Sequence, residues 1–490
     1  MASERVRPRA PPFVDPPGYV RHRPEATLLY QLVERYYPEF VTAREATGRP
    51  LPRYVQEEFA AYLKCGRLEH GFLRVRCEDC HAEKLVAFSC KRRGFCPSCG
   101  ARRMTDSAAL LAENVLPRKP LRQWVLSLPF ALRFLLATDA EALTQVLGTV
   151  YRTISAHILK KARLTRRSGA TGAVTLIQRF GSALNLNIHF HMLVLDGAYL
   201  VGSEPPVFRR IAPPGGAELQ ALVERLTERI GRALERRGVL IRDAEGSFLE
   251  LEPAAGGPID DLLGHSITYR VAVGPRAGQK VFSLQTVAAR EEEFRKGVAQ
   301  YAGFSLHAGI GVEADQREKL ERLARYVSRP PVSMERLSLT AQGHVRYRLK
   351  TPYRDGTTDI VLEPLDFIAR LAALVPPPRV HLTRYHGVFA ANAALRAAIT
   401  PAGRGSKARS CTPERATPKH VALNWARRLK RVFGIEIEQC ARCGGRLEVI
   451  ASIEEPELIE RILAHRRERG EEEALMVSLG PRAPPQASLF

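Results

Sequence analysis

Apolar positions along this chain switch between two periods, and each switch marks an element. In LLYQLVERYY and YVQEEFAAYL, within 27–60, apolar residues fall three and four apart, as in helices buried along one face. SAALLAENVLP (107–117) predicts a helix ended by Pro117. A strand follows at 123–128, then helices at 129–137 and 139–163. AVTLIQRFG (173–181) and NIHFHMLVLDGAYL (187–200) predict an antiparallel hairpin around SALNL. LQALVERLTERIGRALERRG (219–238) is an amphipathic helix closed by Gly238. SITYRVAVG (266–274), KVFSLQTVA (280–288) and FSLHAGIGVEA (304–314) read as strands, and DQREKLERLARYVS (315–328) as a helix stopped by Pro330-Pro331. A hairpin turning at Asp355-Gly356 is expected over 345–364, and a helix over 365–374. Further on come a helix in VALNWARRLKRVFG, a CxxCGG turn and a last helix near 456–468.

This alternation makes the chain α+β. At 490 residues it exceeds one ordinary core, so several domains are expected. The boundaries read as a basic, proline-rich arm (1–24), a helical and cysteine-bearing domain (25–116), a long α+β domain (120–400) with a helical insertion near 205–250, a linker (401–420), a C-terminal helix and CxxC module (421–480) and a tail (481–490). No apolar run is long enough to span a membrane, and the N-terminus lacks the apolar core of a secretory signal. The chain carries 74 Lys and Arg against 52 Asp and Glu, a net charge of +22. Such an excess points to a polyanion, with nucleic acid ahead of a membrane surface because no long basic amphipathic helix stands out.

Within the buried strand Ile188–Leu195, His189 and His191 lie one pleat apart and face the same way. Two imidazoles on one face of a central strand need partners. A shared metal ion is one solution, and core hydrogen bonds are the other. Gln178, on the partner strand of the hairpin, is the candidate third ligand. Asp196 is a weaker choice because alternation turns it off that face, and His307 is another polar candidate.

The nine cysteines are clustered, which favours metal binding in a reducing cytosol over a disulfide framework. Cys77-x-x-Cys80 and Cys96-x-x-Cys99, fifteen residues apart, fit a tetrahedral structural Zn2+. Cys90 could replace one of these four, and Cys65 reads as an ordinary buried thiol. Cys440-x-x-Cys443 looks like half of a second zinc site, completed by Cys411 and His420 or from elsewhere, or not metal-binding at all. Lys91, Arg92, Arg93, Arg102 and Arg103 surround the first block and suit phosphate contacts; a solvated basic face is the alternative.

Tyr326 is the single tyrosine of the 315–328 helix, beside Arg325 and three before Arg329. A phenol, with an unperturbed pKa of about 10, becomes a nucleophile when positive charge stabilises its phenolate. The chain has fourteen tyrosines, so Tyr301, Tyr347, Tyr353 and Tyr385 stand as alternatives. Arg322 occupies the position four before Tyr326, so no YxxxY pair exists there.

FSCKRRGFCPSCGARRM, RQWVLSLPFALR, NIHFHMLVLDG, RYVSRPP, VRYRLKTPYRDGTT, LVPPPRVHLTRYHGVFAANAALR and CARCGGRLEVIA occur in the order found in one family. Over about 65–450 the chain resembles the insertion-sequence-91 rolling-circle transposases and their common-region relatives. The resemblance implies an HUH nuclease domain, a central antiparallel sheet flanked by helices, with an N-terminal zinc-binding module. It implies that His189 and His191 hold Mg2+ or Mn2+, that Tyr326 forms a 5′-phosphotyrosine with a DNA strand assisted by Arg325, and that the strand is then transferred. Arg329 joins the basic block as a DNA contact. The implied substrate is single-stranded or hairpin DNA at element ends, in a bacterial cytoplasm and on the nucleoid. A second copy of the chain and host replication proteins are further candidate partners. A plasmid replication initiator or relaxase with the same chemistry, or a non-catalytic zinc-dependent DNA-binding protein, are the competing readings.

Overall fold

The computed structural model describes residues 23–242, 247–249, 257–288, 297–403 and 438–468. The expected N-terminal arm, linker, 421–434 helix and tail lie outside these, as do Cys411 and His420. The chain divides into two compact units, and the division cuts across the expected boundaries. Of the described residues, one unit combines 66–88 with 438–468; the other holds 24–65 and those from 89 to 403.

The larger unit is built on a six-stranded antiparallel sheet. Its strands run in the order Val298–Tyr301, Phe304–Val312, Leu121–Ser127, Leu186–Leu195, Gly172–Phe180, Thr383–Gly387. The strand carrying the two histidines is therefore central, hydrogen-bonded on both sides. This placement explains why its other residues from Ile188 to Leu195 are apolar, because both of its faces are covered. Ile188, Phe190, Met192 and Val194 face one core, with Trp124, Leu126 and the buried residues of Phe130–Thr138, Ala140–Lys161 and Gly216–Glu235. Leu193 and Leu195 face the other, with Leu320, Leu323, Ala324 and Val327 of the helix Arg317–Val327. That helix packs against Pro97–Ala109 and its π-helical extension Leu110–Val115.

The first helical stretch is two helices, Leu28–Ala46 and Arg53–Lys64, separated at Pro50 and Pro52. The expected strand at 266–274 does not form. Ser266 and Ile267 finish the helix Asp260–Ile267, and only Arg270 makes an isolated bridge. Ile267 buries from the helix end and Val271 from the segment beyond it, while Thr268 is exposed, an outcome that short apolar runs leave open. A second antiparallel sheet runs Phe282–Gln285, Thr357–Leu362, Val345–Arg348, Leu337–Leu339. Its expected hairpin is present, with Asp355 accepting from the Thr357 N–H at 2.9 Å and Gly356 at φ +87°. The loop is longer than a two-residue turn, since Arg348 pairs with Asp359.

The smaller unit is a three-stranded antiparallel sheet, Leu447–Ile453, Phe72–Cys77, Glu83–Ala87, covered by the helix Pro456–Glu468. The strand after the CxxCGG turn had no expected counterpart. Among the described residues, no helix is long and apolar enough to cross a membrane.

Candidate active site and metal centres

Register places the polar side chains. Directly across the sheet, Ser127, His189 and Gln178 share one row, and His307, Val125, His191 and Leu176 the next. Residues in such rows project from the same face, so Gln178 and His307 join both histidines there. Tyr326 faces them from the helix above. Its ring lies 6.3 Å from that of His191, nearly perpendicular, and the two imidazoles are 4.9 Å apart. The expected neighbourhood of His189, His191, Gln178 and Tyr326 is thus one place in the fold.

Both imidazoles are buried and held through Nδ1. His189 Nδ1 is 2.8 Å from the Asn187 carbonyl, so it donates and leaves the lone pair on Nε2. His191 Nδ1 lies 2.8 Å from the Gln123 side-chain amide. Burial pulls His189 down to about 4 and holds His191 well below the ordinary imidazole range, so both are neutral at pH 7. His191 Nε2 and Gln178 Oε1 are buried without a hydrogen-bond partner, while the Gln178 amide N–H donates to the Val327 carbonyl at 2.6 Å. Gln123 presents its amide Nε2 to His191 Nδ1; with that amide flipped and the proton on Nδ1, His191 Nε2 and Gln178 Oε1 are two acceptors of metal-ligand type on one sheet face and fit a divalent cation. Asp196 is committed elsewhere: its carboxylate accepts from Arg122 Nε at 3.1 Å and Nη2 at 2.8 Å, both groups buried.

Positive charge does surround Tyr326, from partly different residues than expected. The Arg329 guanidinium stacks over its ring at 4.3 Å and the Lys350 ammonium at 4.4 Å. Lys350 follows the second-sheet strand Val345–Arg348, and sequence reasoning missed it. Arg325 is half-buried and shows no stacking of this kind. Gln123 was also missed; its signal was an amide in a mostly apolar strand, beside Arg122. Among the alternative tyrosines, Tyr347 is buried with its hydroxyl accepting from the Ser333 N–H and Arg336, and Tyr353 pairs with Ser182 and Tyr269.

A cavity of about 300 Å3 opens beside Gln178. Arg93, Arg103, Arg179 and Arg329 line it, and among the described residues no carboxylate does. Part of the basic block is structural. Arg93 donates to the carbonyls of Val380 and Pro377, and Arg103 to those of Lys91 and Arg92. Arg92 reaches Glu57 at 3.5 Å.

The cysteines sort differently from the expectation. Cys77/Cys80 and Cys96/Cys99 fall in separate groups of four: Cys65, Cys90, Cys96 and Cys99 form one, and Cys77, Cys80, Cys440 and Cys443 the other. Cys65 is therefore a group member, not an ordinary thiol, and Cys90 belongs with the 96–99 knuckle. Spacing suggested the pairing of nearest CxxC motifs, but the C-terminal strand returns to Phe72–Cys77 and supplies Cys77 and Cys80 with other partners. In the first group Sγ–Sγ distances are 3.4–3.7 Å. Four thiolates about 2.3 Å from a tetrahedral zinc stand about 3.8 Å apart, so this cage fits Zn2+. Cys65 Sγ accepts from the Cys90 N–H, and the buried Glu58 carboxylate holds the loop by accepting from the Gly94 N–H at 2.7 Å. A Cβ on Gly100, one residue past Cys99, would sit 2.5 Å from Pro330 Cβ, so the zinc knuckle packs closely on the segment leaving the tyrosine helix.

The antiparallel sheets, flanking helices and cysteine cage define an α+β protein with a zinc-binding module. Residues 32–128 match the family model described as "Transposase zinc-binding domain", and residues 172–396 the one described as "Putative transposase". The chain belongs to the insertion-sequence-91 family of transposases, and so acts on DNA with structural Zn2+. No curated protein and no solved structure matches it.

Proposed function

We propose that the chain nicks single-stranded DNA at element ends through Tyr326 and transfers the strand by a rolling-circle route. The observation that carries this reading is the edge-to-face contact of Tyr326 with His191, over a sheet face where His191 Nε2 and Gln178 Oε1 lack partners. The Tyr326 hydroxyl attacks the scissile phosphorus and loses its proton to solvent. The bond from phosphorus to the 3′ oxygen breaks, that oxygen takes up a proton, and the 5′ phosphate stays on tyrosine. Arg329 and Lys350, and Arg325 on the same helix, offset the phenolate charge. Mg2+ or Mn2+ held by His189, His191 and Gln178 would polarise the phosphate. Gln123 would serve His191 by an amide flip from the orientation in which its Nε2 faces Nδ1: with the amide oxygen there instead, the Nδ1–H donates and Nε2 keeps its lone pair. The arginine-lined cavity beside Gln178 suits the strand next to the scissile phosphate. Lys91, Arg92 and Arg102 extend the basic surface from the zinc knuckle.

The test mixes purified protein, Mn2+ or Mg2+ and single-stranded oligonucleotides spanning element ends, and looks for covalent protein–DNA adducts on denaturing gels. The expected adduct disappears with EDTA and in Tyr326→Phe. An adduct that persists in Tyr326→Phe would move the nucleophile. DNA binding without any adduct would make the protein a binding factor.

A further inference from the structure

We infer that the chain carries a second structural zinc site, a ribbon split between its two ends, in which Cys77 and Cys80 share one ion with Cys440 and Cys443. The matched zinc-binding segment stops at residue 128 and includes only half of this set. Cys77 Sγ lies 3.5 Å from Cys443 Sγ, and Cys80 Sγ 3.6 Å from Cys440 Sγ. All four sulfurs fall within 4.8 Å of one another. A disulfide would bring sulfurs to about 2.05 Å, whereas a tetrahedral zinc holds them about 3.8 Å apart. The spacing therefore matches a metal cage.

The backbone of the second knuckle is shaped for thiolates. The Arg442 N–H donates to Cys440 Sγ and the Gly445 N–H to Cys443 Sγ, each at 3.4 Å. Such bonds favour the charged sulfur that zinc requires. Gly444 donates to the Cys440 carbonyl at φ +76°. A Cβ on Gly445 would come within 2.2 Å of Asp79 Oδ2 and 3.0 Å of Cys77 Sγ. The glycine pair thus lets one knuckle close on the other.

Core size gives an independent reason for an ion. The described part of this unit spans 66–88 and 438–468, 23 and 31 residues, yet its apolar cluster holds only four buried residues, Phe72, Leu85, Ile453 and Ile459. Units this small draw on a metal or disulfides for stability. Since Cys80 and Cys440 are 360 positions apart, the ion also ties the C-terminal strand to the N-terminal hairpin.

The site is tested on the full-length protein, purified under reductant. Metal analysis should find two zinc ions per chain, falling to one in Cys440→Ser/Cys443→Ser. A wild-type content of one, or a double variant that still holds two, would overturn the assignment. A variant-free measurement covers the case in which the substituted chain misfolds. Cys443 is exposed, so without zinc it should alkylate readily with N-ethylmaleimide. The expected result, by peptide mapping, is at least tenfold protection that a chelator abolishes. Rapid alkylation of Cys443 in the zinc-loaded protein would refute the shared ion.

Discussion

Gln123 offers the sharpest test of how the histidine pair is held. It is almost fully buried, and its side-chain amide is 2.8 Å from His191 Nδ1. Gln123→Leu keeps much of the bulk of the side chain, one atom shorter, and removes the partner. His191 Nδ1 is then buried and unsatisfied, at a cost of about 1–3 kcal/mol in stability. The larger effect is on metal binding. Loss of a hydrogen bond that orients a ligating histidine weakens metal affinity roughly 10–100-fold, or about 1.4–2.8 kcal/mol. The assay titrates Mn2+ against adduct formation on a single-stranded oligonucleotide, with thermal denaturation run alongside. The half-saturating Mn2+ concentration should rise by that factor in Gln123→Leu. It should return towards wild type in Gln123→Glu, whose carboxylate accepts from Nδ1–H. A folded Gln123→Leu protein with unchanged Mn2+ dependence would show that the amide does not orient the ligand, and the role given to His191 would fall with it.

Four further outcomes follow from the same geometry. Asp196→Ala leaves Arg122 buried and unpaired and should cost about 3–5 kcal/mol, read by urea denaturation; Arg122→Met/Asp196→Leu should recover most of it. Phe190→Ala, on the opposite face of the histidine strand, should cost about 3–5 kcal/mol in the same assay. His189 and His191 are depressed by burial, His189 to about 4. The unfolded chain therefore binds more protons below about 6.5, and stability of the metal-free protein should fall as pH drops from about 6.5 towards 4; a flat acid limb would contradict the neutral, buried pair. Gly100→Ala forces the zinc knuckle away from Pro330 and should lower the rate of adduct formation with zinc content unchanged.

The histidine face was legible because strand periodicity is local. His189 and His191 are two apart, so alternation alone puts them on one face, and a short loop makes Gln178 their neighbour. The tyrosine helix was legible for the same reason, through its spacing of apolar residues and its proline stop. Lys350 and Gln123 were not, because they reach the site from other strands whose positions are decided by packing. Asp196 shows the limit from the other side: its carboxylate reads as a candidate ligand, and only the structure reveals that Arg122 already occupies it.

The cysteines mark the same boundary most clearly. Their number, clustering and CxxC spacing determined that thiolates bind metal, since that chemistry depends on residue type and on the tight turn between two close sulfurs. Which knuckles share an ion depends on how the chain returns through space, and a return over 360 positions leaves no trace in local spacing. Pairing of the strand Leu447–Ile453 with Phe72–Cys77 made that choice, leaving Cys65 and Cys90 to complete the other cage.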